Sequence, residues 1–296
     1  MPKQDHNPTA FPSARDDAGT VAHLTPSSPQ TRSPSHRLAY TDADFLLRPE
    51  LRPLRLQLEL LKAELIQQEQ GVDSTVVIFG STRIPEPQTA AERLAAAERV
   101  ALDHPADPVL AQRVVAARRL VEKARYYEEA RRLAQIITRF SQSNGHRDFV
   151  VVTGGGPGVM EAANRGADDV GGKSVGLSIV LPREEQPNLY VTPDLSFQFH
   201  YFAVRKMHFL MRARALVAFP GGYGTLDELF ETLTLIQTRK VQPVPVLLFG
   251  ETYWRRIINF EALVEEGTID PPDAELFSYV ETAEEAWEQI RSCYTE

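Results

Sequence analysis

Apolar positions along the chain follow two alternating rhythms. Short β-branched or aromatic runs at Ser74–Phe79, Phe149–Val152, Ser174–Val180, Ala215–Phe219 and Val244–Phe249 are continuous enough to be strands buried on both faces. Between them the spacing of three and four positions predicts helices over Ala90–Ala101, Val109 to about Ser141, Val159–Asn164, Tyr201–Ala213, Leu226–Gln237 and Tyr253–Glu265. Val109–Ser141 reads as one unusually long helix, and Thr282–Glu285 caps a last short one. Strand and helix in alternation predict an α/β, Rossmann-like fold: a mostly parallel sheet flanked by helices in a single three-layer domain.

Upstream the rhythm changes twice. Residues 1–44 hold six prolines among Ser, Thr, Asp and His and offer no continuous apolar face, so they are expected to form a disordered tail. Leu54, Leu58, Leu61 and Leu65 then recur at helical spacing, which predicts an amphipathic helix packed on the α/β domain, with Glu59, Lys62 and Glu64 facing water. The expected organisation is therefore a tail over 1–44 and one domain over 45–296, with a covering helix, a helical extension at about 90–141 and a C-terminal helix.

Composition narrows the function. Hydrophobic residues make up 43% of the 296 positions, enough for a sizeable core, and no apolar run approaches the roughly 20 residues that cross a bilayer. The first residues lack the apolar stretch of a secretory signal, and the one cysteine, Cys293, forms no intrachain disulfide, so a reducing cytoplasm is expected. With 32 basic against 40 acidic residues the net charge is −8, which disfavours a nucleic-acid polymer as partner while permitting a local cationic pocket.

Two strands end in glycine loops, Gly154-Gly155-Gly156-Pro157-Gly158 and Pro220-Gly221-Gly222-Tyr223-Gly224. Glycines allow close backbone approach, and the amides at the start of a following helix attract an anion. Neither loop matches the dinucleotide or Walker patterns, and each also reads as a plain turn; two at strand ends favour a ligand. Thr225-Leu226-Asp227-Glu228 fits a capping box, while a carboxylate beside an anion cradle is equally placed to orient water or ribose hydroxyls. Arg205 and Lys206 are adjacent and project differently, so one of them is expected to face a site. Tyr126 and Tyr127 fit a core contact as well as substrate stacking, and the carboxylates and histidines are not grouped for a metal.

Three motifs in order, Thr153-Gly154-Gly155-Gly156-Pro157-Gly158-Val159-Met160-Glu161, Arg205-Lys206-Met207 and Pro220-Gly221-Gly222-Tyr223-Gly224-Thr225-Leu226-Asp227-Glu228, resemble the Lonely Guy (LOG) family and its PGGxGTxxE pattern over about residues 74–265. Its members are often labelled lysine decarboxylases, a chemistry that would need pyridoxal phosphate, for which no attachment site is evident. The resemblance implies hydrolysis of the N-glycosidic bond of a nucleoside 5′-monophosphate, AMP or a cytokinin riboside 5′-monophosphate, to free base and ribose 5-phosphate without a cofactor. It makes Arg205 and Glu228 the catalytic pair. Gly221, Gly222, Gly224 and Thr225 would cradle the phosphate, Gly155 and Gly156 form the neighbouring wall, Ser81 lie near the nucleotide and Lys206 bind substrate. It also implies a homodimer or larger homo-oligomer. Glu161 where a small residue is usual, Thr82 where a second serine is usual, and the added helical sequence resemble a longer bacterial branch. The alternative is a nucleotide or molybdenum-cofactor carrier of the same fold without turnover.

Overall fold

The computed structural model describes residues 11–142, 147–182 and 186–294; the first ten residues of the expected tail lie outside them. The chain divides into two compact units, Met1–Leu58 and Glu59–Glu296. The boundary falls inside a helix.

The first unit holds α1 (Ala14–Ala22), α2 (Pro29–Arg32), α3 (Ala43–Leu46) and the start of α4 (Arg52–Glu69), with two 3-10 turns between α2 and α3 and one between α3 and α4. Polar side chains cap these starts: Ser13 and Asp16 bond each other's backbone amides, Ser28 accepts from Thr31, and Asp42 accepts from Phe45. The Arg55 guanidinium donates to the carbonyls of Leu46 at 2.8 Å and Arg48 at 2.6 Å.

The second unit is a single α/β domain. Strands β1 (Thr75–Phe79), β2 (Val150–Thr153), β3 (Ser174–Ile179), β4 (Ser196–Phe199), β5 (Ala213–Ala218), β6 (Val246–Phe249) and β7 (Ser278–Val280) form one sheet in the order β4-β3-β2-β1-β5-β6-β7. Every pairing is parallel. The chain adds strands outward from β1 on one side, then crosses back to lay β5 on the other. The sheet's topological switch therefore lies between β1 and β5, where open parallel sheets leave a crevice at the strands' carboxyl ends.

Around the sheet lie α5 (Pro87–Asp103), α6 (Pro108–Lys123), α7 (Arg125–Gln142), α8 (Val159–Asp168), α9 (Phe202–Met211), α10 (Tyr223–Gln237), α11 (Glu251–Ile257), α12 (Phe260–Glu265) and α13 (Ala283–Ser292). Among the described residues no helix is long and apolar enough to cross a membrane. The central strands β1 and β2 are fully buried, and α7, α8 and α13 pack one face of the sheet through Leu133, Ile137, Ala162, Trp287 and Ile290.

Four expectations are corrected. The long helix is two, because Ala124 donates to the Val121 carbonyl and accepts from Tyr127, a tight turn that redirects the chain. Beyond it α7 buries Tyr126, Tyr127, Ala130, Leu133, Ala134 and Ile137, whereas α6 buries none of its residues. Tyr253–Glu265 is likewise two helices, since Asn259 caps α12 by accepting from Ala262 at 3.0 Å. The edge strands β4 and β7 were not expected; they are four and three residues long and partly exposed, so neither shows a continuous apolar run.

The fourth correction concerns α4. Leu54, Leu58, Leu61 and Leu65 are 38 to 51% exposed, while Ala63 and Gln67 are buried. The docked face carries the carboxylates expected in water: Glu59 accepts from the amides of His200 at 2.8 Å and Tyr201 at 3.1 Å, and Glu64 holds Arg212 at 2.5 Å. Those amides lie just before α9, whose N-cap, Tyr201, makes no side-chain capping bond.

Candidate active site

The β1 and β5 ends are tied together, Phe219 donating to the Phe79 carbonyl and Ser81 to the Pro220 carbonyl. Above this junction opens a cavity of about 660 Å³. Its walls come from the turn after β1 (Ser81, Thr82, Arg83), the loop after β5 (Pro220 to Leu226), Arg205 of α9, Glu228 of α10, Met160 of α8, Tyr253 of α11, and Leu120 and Lys123 of α6.

Helix α10 starts earlier than the capping-box reading places it. Its N-cap is Gly222, whose position has no side chain to serve the first amides, and Thr225 already lies inside the first turn. Thr225 and Glu228 are therefore not a capping pair; both are buried and both line the cavity. A Cβ at Gly221 would collide with the Thr225 hydroxyl, whereas at Gly222 and Gly224 it would meet nothing within 4 Å. The first amides of α10 thus stand beside open space, the arrangement that attracts an anion to a helix N-terminus.

Glu228 and Arg205 face each other across the floor. The Glu228 carboxylate is 7% exposed, and Arg205 Nη1 lies 3.9 Å from its Oε1, too far for a hydrogen bond. Burial pushes the Glu228 carboxyl up to about 7, although Arg205 and Lys206 pull the other way. Burial likewise lowers Arg205 from the ordinary guanidinium range, opposed by Glu228 and Asp227. Arg205 is fixed in place: Nε donates to the Leu177 carbonyl at 2.7 Å, and its guanidinium carbon lies 5.0 Å from the Phe209 ring centroid. A carboxyl near 7 beside a held cation is suited to move a proton at neutral pH.

Of the residues singled out from the sequence, Ser81, Arg205, Gly221, Gly222, Gly224, Thr225 and Glu228 come together in this cavity. Gly155 and Gly156 do not line it, although Met160 just beyond their loop does. Their loop is fastened from the other side. The Asn188 side-chain amide donates to the Gly155 and Gly156 carbonyls at 3.1 Å each and to Asn164 at 2.9 Å, while Thr153 accepts from the Gly155 amide at 2.9 Å. Lys206 turns away and pairs with Asp227 at 2.7 Å and Glu231 at 3.2 Å. Tyr126 and Tyr127 are core residues; Tyr127 donates to Glu161, and burial pushes its hydroxyl up to about 12.

Thr82, Arg83, Leu120, Lys123 and Tyr253 were missed. They come from turns and helices remote in sequence, and no spacing marks them. The Tyr253 hydroxyl donates to the Gly221 carbonyl at 2.5 Å and so supports the open loop. Among the described residues no group of three or more His, Cys, Asp or Glu is placed to hold a metal.

The family described as possible lysine decarboxylase matches residues 160–290. A cytokinin riboside 5′-monophosphate phosphoribohydrolase of Arabidopsis thaliana is 32% identical over 144 residues, 47% of this chain and 65% of the relative. A probable cytokinin riboside 5′-monophosphate phosphoribohydrolase of Oryza sativa subsp. japonica is 33% identical over 138 residues, 45% of this chain and 54% of the relative. In both, less than two thirds of the relative's length is spanned. Among solved structures, the Moco carrier protein from Chlamydomonas reinhardtii is 19% identical, with 75% of this chain and 99% of that chain covered and a TM-score of 0.39.

Proposed function

We propose that this chain is a Lonely Guy family member that hydrolyses the N-glycosidic bond of a nucleoside 5′-monophosphate, AMP or a cytokinin riboside 5′-monophosphate, to free base and ribose 5-phosphate. The observation that carries the reading is the placement of Glu228 and Arg205 in one cavity with the uncapped start of α10, at the sheet's switch point.

The 5′-phosphate sits on the amides at Gly222–Thr225 and anchors the substrate without entering the bond-breaking step. Water adds its oxygen to the anomeric carbon as the bond to the base nitrogen breaks. Glu228, ionised in part of the molecules at pH 7, accepts a proton from that water, and its negative charge stabilises the oxocarbenium-like transition state. The departing base takes up one proton, so water is divided between the two products. Arg205, held against Leu177, contacts the substrate near the scissile bond.

The same reading makes the protein a cytoplasmic homo-oligomer. Phe202, Met207 and Met211 on α9 and Phe230 on α10 are exposed apolar residues available for a subunit contact. The test is a product assay with AMP, GMP, CMP, UMP and isopentenyl-AMP. The expected result is free base and ribose 5-phosphate from at least one of them. Retention of an intact nucleotide with no product from any overturns hydrolysis in favour of a carrier.

A further inference from the structure

Helices α5 and α6 form the helical extension, and residues 87–123 precede the matched family stretch at 160–290. The last turn of α6 nevertheless supplies two walls of the cavity, Leu120 and Lys123. The extension is part of the site.

The charges on the lining are unbalanced. Arg83, Lys123 and Arg205 are its cations, and Glu228 is its one carboxylate, in a protein whose net charge is −8. These cations differ in what already holds them. Arg205 faces Glu228 and bonds the Leu177 carbonyl. Lys206, the other lysine close by, is neutralised by Asp227 and Glu231 and lies off the cavity. Neither Arg83, which is exposed, nor Lys123, which is half-buried, carries an ion pair among the described residues, and the Lys123 Nζ lies 5.1 Å from the Tyr253 ring centroid. Tyr253 in turn bonds the carbonyl of Gly221, the residue that begins the open amide loop. A half-buried ammonium resting on an aromatic face, with no carboxylate partner and beside uncapped helix amides, is a charge awaiting an anion.

Resting on the nucleotide reading, we propose that Lys123 completes a phosphate subsite: the helical extension brings a lysine to the substrate's 5′-phosphate opposite the Gly221–Thr225 amides. It makes the site select phosphorylated over unphosphorylated ribosides. The amides supply orientation through fixed dipoles, and Lys123 supplies the full charge that the glycine loop lacks.

The test uses the full chain as wild type, Lys123→Ala and Lys123→Arg, with circular dichroism as the check on folding. Calorimetry with ribose 5-phosphate and with ribose measures binding, and AMP cleavage is followed separately. The expected result is a rise of about 10- to 100-fold in the Kd for ribose 5-phosphate in Lys123→Ala, no change for ribose, and recovery in Lys123→Arg. An unchanged Kd in folded Lys123→Ala, or an equal loss for ribose, overturns the subsite. Lys123-dependent binding of ribose 5-phosphate without AMP cleavage by wild type upholds the subsite and defeats hydrolysis. AMP cleavage with a Kd indifferent to Lys123 does the reverse.

Discussion

The two glycine loops look alike in sequence and differ in construction. The loop after β2 is closed. Its carbonyls are held by Asn188, the amides of Gly155 and Val159 are used by Thr153 and Ser81, and a Cβ at Gly158 would strike the Ser81 carbonyl at 2.4 Å in a left-handed backbone of φ 73°. The loop after β5 is open: its helix has no side-chain cap, and two of its glycines face empty space. In the first, glycine is needed because protein comes close. In the second, it leaves room for something that is not protein. The closed loop serves the open one indirectly, since a Cβ at Gly154 would lie 2.7 Å from the Arg205 guanidinium. One loop is scaffold beside the cation, and the other is the surface on which the proposed phosphate site rests.

The largest expected effect falls on the open side. Glu228→Gln should lower kcat by about 10²- to 10⁴-fold while the thermal melt shows a folded protein, because Glu228 makes no capping bond to lose. A melt that collapses together with activity would return Glu228 to a structural role. On the closed side the order reverses. Asn188→Ala removes four side-chain hydrogen bonds and should destabilise the protein by about 1–3 kcal/mol in a denaturant titration, with activity failing only as the loop loosens. Unchanged stability would mean the loop holds itself.

A finer probe is Gly224→Ala. The position is helical and open, so alanine should raise stability by about 0.5–1 kcal/mol while its methyl intrudes on ligand space and raises KM. An unaffected KM would place the phosphate elsewhere.

A further effect is one of pH. Glu228 is raised in the folded state from 4.5 to about 7, so its neutral form is favoured on folding. That contribution is fully present below pH 4.5 and is lost as pH rises through about 7. Glu228→Gln should therefore gain stability relative to wild type across that window, as read from paired melts. A constant difference would show that the carboxyl is not desolvated.

Much of this was legible from the residues. The inner strands were visible because burial on both faces leaves unbroken apolar runs such as Val76–Phe79. β4 and β7 were not, since a short, partly exposed edge strand shows little pattern. Periodicity found α4 but misassigned its buried face, because it weighs leucines and cannot see that Glu59 answers the amides of His200 and Tyr201 just before α9. The three motifs name Arg205, Glu228 and the open loop, which line one cavity. They could not separate Lys206 from Arg205, whose directions depend on Asp227 and Glu231 one helix away, nor reveal Lys123, which reaches the cavity through the turn at Ala124.

The central claim is that the open loop and Glu228 together form a hydrolytic site. The most direct measurement is quantification of both products after incubating AMP with wild type and with folded Glu228→Gln. The account predicts free adenine and ribose 5-phosphate in equal amounts from wild type and near-background amounts from the variant. Equal turnover by the two proteins, or AMP recovered intact from wild type, would contradict it.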